Sequence, residues 1–348
     1  MSSHDATPPT SKRWATIRSG DEPGVIAGAA ARLRAGEPVA FPTETVYGLG
    51  ANAFDPVAVA RIFAIKDRPS FDPLIVHIAS AADLPGLVTD ADAADRRVWT
   101  LMERFWPGPL TLVLAKRDVV PRIVTAGLAT VGVRMPDHPL ALALIREAGV
   151  PIAAPSANRF GGISPTRAEH VAHQLGDRIG LIVDGGPCRV GVESTVLMLA
   201  GGRAMLLRPG GLPLEAIEAA IGPVHVPSDD AARSMSPGRT TSHYAPAARL
   251  VLAAASATPA SGGRRVGLLA ASEPGRIEAE AVGGPFAAVA VLSHDGDPGE
   301  VAARLFDALH ELDEAGLEEI VAQPVAEKGL GRAVMDRLRR AAAVRMIP

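Results

Sequence analysis

The chain has 348 residues, 47% of them hydrophobic and 21% charged, with a formal net charge of −3. That is the profile of a soluble globular protein with room for two domains. It provides no global basic field for nucleic acid or anionic lipid, so any anion site has to be local. The single cysteine, Cys188, excludes an internal disulfide and argues against a cysteine-based zinc site.

Residues 1–12 read as a disordered tail without the apolar core of a signal peptide. No apolar run reaches the ~20 residues of a membrane span, so a cytoplasmic location without membrane contact is expected. Between residues 13 and 222, short apolar runs alternate with helical patterns. PVAF (38–41), PLIVHI (73–78), LTLVLA (110–115), TVGVRM (130–135), LIVD (181–184), STVLML (194–199) and AMLLR (204–208) read as strands. Asp55 followed by Pro56 predicts a capped helix start. Asp137 is placed to cap HPLALALIREA, which Gly149 then ends, and Thr166 with Glu169 forms a capping box. Residues 223–245, rich in Pro, Ser, Asp and Gly, read as a linker. Beyond it, RLVLAAA, RRVGLLA, AAVAVLS and EEIVAQ alternate with amphipathic helices, the pattern of a small parallel-sheet domain over 246–348. The first domain is α/β with a mixed sheet.

No P-loop, zinc-hydrolase or nucleophile-elbow motif is present, and YGLGANA (47–53) fails the dinucleotide-binding spacing. What remains is polar residues near strand ends. Thr43, Glu44 and Thr45 follow PVAF, where turn chemistry accounts for them equally well. Lys66 fits dipole compensation at a helix C-terminus. Arg68 fits it less well, because Pro69 forces its backbone out of the helix. His77 is either a ligand or a satisfied core histidine. Arg134, at the end of TVGVRMP, needs an anion partner if buried. Ser156 and Asn158 follow a strand in AAPSAN. Gly161 and Gly162 permit close backbone approach. Ser164 stands before a capped helix that suits a phosphate, with an ordinary loop as the alternative. Ser194 and Arg208 lie at strand termini. Ligands of open α/β sheets gather at strand ends. Several cations among hydroxyls suit a polyanion such as a nucleoside triphosphate, held without a P-loop.

In order along roughly residues 20–215, FPTETVYGLGANAF, KDRPSFDPLIVHI, WPGPLTLVL, TAGLATVGVRMPDHP, PIAAPSAN, GISPT, VDGG, GVESTV and LLRPG resemble the YrdC-type domain of the L-threonylcarbamoyladenylate synthases. PGRTTSHYAP and the domain after it resemble the long, two-domain form of that family. The resemblance implies a YrdC-type twisted mixed sheet with helices and a smaller C-terminal Rossmann-like parallel-sheet domain. It implies a nucleotidyltransferase that converts ATP, L-threonine and bicarbonate (or CO2) into threonylcarbamoyl-AMP and pyrophosphate, with Mg2+ accompanying ATP. A separate transferase would use the product to make N6-threonylcarbamoyladenosine in tRNAs reading codons that begin with A.

Residue by residue, the resemblance puts Thr43, His77, Arg134, Ala154 and Ser194 at L-threonine. It puts Lys66, Arg68, Thr130, Ser156, Asn158, Ser164, Arg208, His243 and Tyr244 at ATP, with Lys66, Arg68 and Arg134 as the catalytic cations. Glu44, Asp184 and Glu193 are candidates for Mg2+ or water contacts. Asp72 stands where the family usually has asparagine; if its side chain faces the triphosphate, the added charge would weaken nucleotide binding unless Mg2+ or Arg68 offsets it. SHYAP (242–246) is expected either to cover the catalytic mouth or to be a passive tether. Two further readings stay open: an RNA-binding module without turnover, binding tRNA or double-stranded RNA directly, and a carbamoyl-adenylate enzyme with another acceptor.

Overall fold

The computed structural model describes residues 14–227, 243–253, 263–283 and 285–343. The expected tail (1–12) and most of the expected linker (228–242) lie outside the described residues. Ten strands form one mixed sheet: β1 (Thr16–Ser19), β2 (Val39–Phe41), β3 (Gly48–Asn52), β4 (Ile75–His77), β5 (Leu110–Ala115), β6 (Thr130–Arg134), β7 (Ile152–Ala153), β8 (Leu181–Asp184), β9 (Thr195–Ala200) and β10 (Arg203–Arg208). Their order is β1-β8-β2-β3-β7-β4-β6-β5-β9-β10. A second sheet holds β11 (Arg249–Leu252), β12 (Val266–Ala270), β13 (Ala288–Val291) and β14 (Glu319–Ala322), all parallel in the order β11-β14-β12-β13. A mixed sheet followed by a smaller parallel one is the expected fold class.

Strand β3 is absent from the sequence reading, which weighs YGLGANA only as a dinucleotide-binding motif that fails the spacing. Glycine is there for proximity. A Cβ on Gly50 would lie 2.7 Å from side-chain carbons of both Phe41 and Ile152, on β2 and β7. The residue is therefore small so that its neighbours can close over it.

Helix starts divide in the same way. Asp55 caps the helix Pro56–Lys66, accepting from the N–H groups of Val57 and Ala58 at 2.8 and 3.1 Å. Gly149 ends Pro139–Ala148 at φ 69°. The other two expected caps are corrected. Proline's fixed φ starts the helix at Pro139, which makes His138 the N-cap, and Asp137, one residue early, pairs with Arg189 instead. The next helix begins at Ala168, so Thr166 lies outside it, and its N–H donates to His170 Nδ1 at 3.3 Å.

The two domains share apolar packing. One core cluster joins Val46, Ile163 and Val192 of the first domain to Tyr244, Phe306, Leu309 and Leu338. The helices Pro298–Glu314 and Gly331–Ala342 supply the last three of those residues. Among the described residues no helix is long and apolar enough to cross a membrane.

Candidate active site

A cavity partly open to solvent lies along β4. Ile75 and His77 are two apart on that strand, so they share a face, and both line the cavity. Arg134 stands opposite His77 in the parallel β4–β6 register. Thr43 and Thr45 come from the β2–β3 turn, Ala154 and Ser156 follow β7, Ser194 precedes β9, and Arg208 ends β10. Arg68, Glu193, His243 and Tyr244 complete the polar wall. The expectation of a strand-end crevice is thus amended. Strand ends supply the polar groups, but the cavity runs over the face of a three-residue strand short enough for both its ends to border it.

The electrostatics are those of a site built for charge. The Arg134 guanidinium lies 2.7 Å from Glu44, with both side chains buried. Burial alone would raise the Glu44 carboxyl, but the Arg134 cation and hydrogen bonds outweigh it and hold the group below the usual carboxylate range. Arg68 pairs with Asp72 at 2.9 Å and donates to the Asp72 and Pro73 carbonyls. The charge introduced at Asp72 is therefore met by Arg68 within the protein. Buried ion pairs of this kind seldom add net stability, because desolvation consumes the Coulomb gain. Arg208 donates to the Ser194 carbonyl at 3.0 Å, and Ser194 shares a 2.8 Å hydroxyl bond with Thr111.

Burial lowers the pKa of His77 and of His243 to about 3; Arg134 beside His77, and Arg68 with its neighbouring cations beside His243, push the same way, and together these outweigh the pull of Glu44 and Glu193. Both rings are thus neutral at ordinary pH. Their Nδ1 atoms are buried and without hydrogen-bond partners among the described residues. Buried polar atoms are nearly always satisfied, so two such atoms on one cavity wall mark where a polar ligand fits.

Several expected residues are placed elsewhere. Lys66 does not line the cavity. Its ammonium donates to the Ser156 carbonyl at 2.5 Å and to that of Asn158, and burial followed by the Arg68 charge pushes its pKa well below the usual lysine value. It ties the AAPSAN loop from behind. Asn158 also lies behind the wall, bridging Ser156 to the Gly162 carbonyl. The Ser164 hydroxyl is fully buried and donates to Glu193 at 2.7 Å, four residues ahead of the helix it was expected to serve. Thr130 begins β6 at the end opposite Arg134. Thr43 lines the cavity and also makes the expected turn bonds, donating to the Val46 carbonyl at 2.6 Å.

The wall contains one close backbone approach. A Cβ on Gly210 would fall 2.3–2.4 Å from backbone atoms of Glu193, Ser194 and Thr195. Backbone cannot swing aside as a side chain tip can. Gly210→Ala is expected to cost about 1–3 kcal/mol of stability by overpacking and to lose activity by displacing Ser194. Urea unfolding alongside a turnover assay checks both.

One participant escapes the motif reading altogether. Arg337, wholly buried on the helix Gly331–Ala342, donates to Glu193 at 2.9 Å and to the Pro209 carbonyl at 2.7 Å.

Residues 31–210 match a family model described as "Telomere recombination", and residues 212–343 match one described as "Threonylcarbamoyl-AMP synthase, C-terminal domain". Over 336 residues the chain is 51% identical to a threonylcarbamoyl-AMP synthase of Bacillus subtilis, covering 92% of this chain and 94% of that one. Against the threonylcarbamoyl-AMP synthase of Pyrococcus abyssi it is 47% identical over 327 residues, with the same two coverages, 92% and 94%. The crystal structure of P. abyssi Sua5 complexed with L-threonine matches with a TM-score of 0.82 at 44% identity, covering 91% of this chain and 94% of that chain.

Proposed function

The chain belongs to the threonylcarbamoyl-AMP synthase family, in its two-domain form, and from that premise we propose that its cavity joins L-threonine, bicarbonate or CO2, and ATP into threonylcarbamoyl-AMP, releasing pyrophosphate. The observation that carries this reading is the convergence of Arg68, Arg134 and Arg208 with Thr43, Ser156 and Ser194 on one largely buried cavity.

The neutral amine of threonine adds to CO2, giving N-carboxythreonine and a proton. A carbamate oxygen then attacks the α-phosphorus, and the bond to pyrophosphate breaks. No enzyme nucleophile is needed. Arg134, backed by Glu44, takes the threonine carboxylate, and the neutral His77 ring offers a lone pair to the amino group. Arg68 and Arg208 face the phosphates, where charge builds on the leaving group. Holding the labile carbamate beside the α-phosphate supplies an effective-molarity gain of up to roughly 7–11 kcal/mol.

The carboxylates expected at Mg2+ are already engaged. Glu44 pairs with Arg134. Asp184 accepts from the Tyr47 hydroxyl and the Gly186 N–H. Glu193 accepts from Arg337 and Ser164. Mg2+ characteristically binds through substrate phosphates and water rather than an all-protein cage. With these carboxylates engaged, an ion accompanying ATP would be held by the triphosphate and water and would supply charge neutralisation there.

The adenylate would pass to a separate transferase acting on tRNA. Direct RNA binding is disfavoured, since Arg68, Arg134 and Arg208 are 8%, 3% and 4% exposed and sit too deep for a phosphodiester backbone. In the test, pyrophosphate release is followed with threonine and bicarbonate omitted in turn, and with L-serine substituted. Release is expected only with both co-substrates present. Release that ignores threonine overturns the substrate, and salt-sensitive RNA binding without turnover favours the rival.

A further inference from the structure

We propose that Arg337 is a positioning residue for the nucleotide half of the site, acting from the C-terminal domain through Glu193. This rests on the function proposed above. Among the described residues, Glu193 is the one carboxylate lining the cavity, where a negative charge opposes a triphosphate. Arg337 meets that charge from outside the cavity. Its Nε donates to Glu193 at 2.9 Å, and its Nη1 donates to the Pro209 carbonyl at 2.7 Å and to Asp336 at 2.9 Å. Its guanidinium carbon lies 5.4 Å from the centroid of the Tyr244 ring, within the range of a cation–π contact. The Ser164 hydroxyl donates to the other Glu193 oxygen.

One buried guanidinium therefore braces three parts of the cavity wall. These are the carboxylate of Glu193, the carbonyl of the residue after Arg208, and the ring of Tyr244. Arg208 belongs to the same charge network as Glu193 and Arg337. Without Arg337, Arg208 is the remaining cation whose charge acts on Glu193. That pairing would draw Arg208 from the nucleotide and leave a carboxylate facing phosphate. A cation that served only to hold the domains together would not need to sit on a cavity-lining carboxylate. Nor would its loss distinguish nucleotide from amino acid.

The test uses the full chain and measures ATP affinity by calorimetry, beside KM for ATP and for threonine. R337M is expected to weaken ATP binding and raise the ATP KM about tenfold, with the threonine KM within about twofold of wild type. The double variant E193Q/R337M, which removes both charges, is expected to return ATP affinity to within about threefold of wild type, the coupling expected of directly interacting residues. Equal damage to both substrates, or no recovery in the double variant, would mean a purely structural role and overturn the proposal. Should R337M not fold, the same comparison is made between E193Q/R337M and R337K, which keeps a charge for Glu193 but not the fork to Pro209. Both are expected within about threefold of wild type for ATP, and a tenfold loss in either overturns the assignment. A wild-type chain that binds no ATP would overturn the function and this proposal together. A wild type that binds ATP beside an R337M that binds it equally well would overturn this proposal alone.

Discussion

Arg134→Met is expected to cost both threonine use and about 3–5 kcal/mol of stability, the usual result of stranding one member of a buried ion pair. Glu44 is 1% exposed and its cationic partner is Arg134 at 2.7 Å, so methionine leaves a carboxylate in the core with no charge to answer it. Adding Glu44→Gln removes that charge, and the double variant is expected to recover most of the stability in urea. Activity should not recover with it. The guanidinium proposed to face the threonine carboxylate is still missing, and threonine-dependent pyrophosphate release should stay about a hundredfold down, the scale of losing one preorganised electrostatic contact. Recovery of threonine use in the double variant would show that Arg134 serves only Glu44. The pH dependence follows from the sign of the shift. Glu44 is held below its unfolded value, so its stabilising share is complete above the ordinary carboxylate range. It is lost as pH falls through the folded pKa.

How far such a site can be read in advance depends on whether the chemistry is local. Asp55 and Gly149 are legible because a cap is decided by adjacent residues, and the structure places both as read. Arg134 is legible because a guanidinium ending an apolar strand demands an anion wherever it lies. Lys66 is not. A lysine ending a helix looks the same in sequence whether it reaches a phosphate or, as here, two carbonyls of a loop 90 and 92 residues away. Strand β3 is hidden because its glycines answer to Phe41 and Ile152, which only the folded sheet brings near. Arg337 did leave a signal. Val334, Arg337, Leu338 and Ala341 fall at i, i+3, i+4 and i+7, and all four are buried, so the arginine lies on the apolar stripe of its helix. Arg339 and Arg340 beside it make the run read as a solvated basic face, and that masks the stripe.

A chain ending at Gly222 is expected to lose most synthase output even where it stays folded. The cut removes Tyr244 and His243 from the cavity wall and Arg337 from Glu193. It also uncovers Val46, Ile163 and Val192, which share a core cluster with the second domain, at about 1.5–3 kcal/mol for each large apolar side chain returned to water. Two losses have to be told apart, and the product ratio does so. If residues 243–246 merely pack against the first domain, truncation lowers pyrophosphate and adenylate together. If they close the mouth, water reaches the bound adenylate, and adenylate falls further than pyrophosphate. The second pattern is expected, because His243 and Tyr244 are 4% and 1% exposed and lie against the cavity rather than beside it. Tyr244 holds a left-handed backbone with φ 63°, a conformation that costs a non-glycine residue of order 1–3 kcal/mol and persists only where its surroundings over-determine it. Supplying residues 223–348 as a separate chain should restore the ratio if closure is the cause. A truncated chain that keeps full output with no excess hydrolysis would reduce the second domain to a tether.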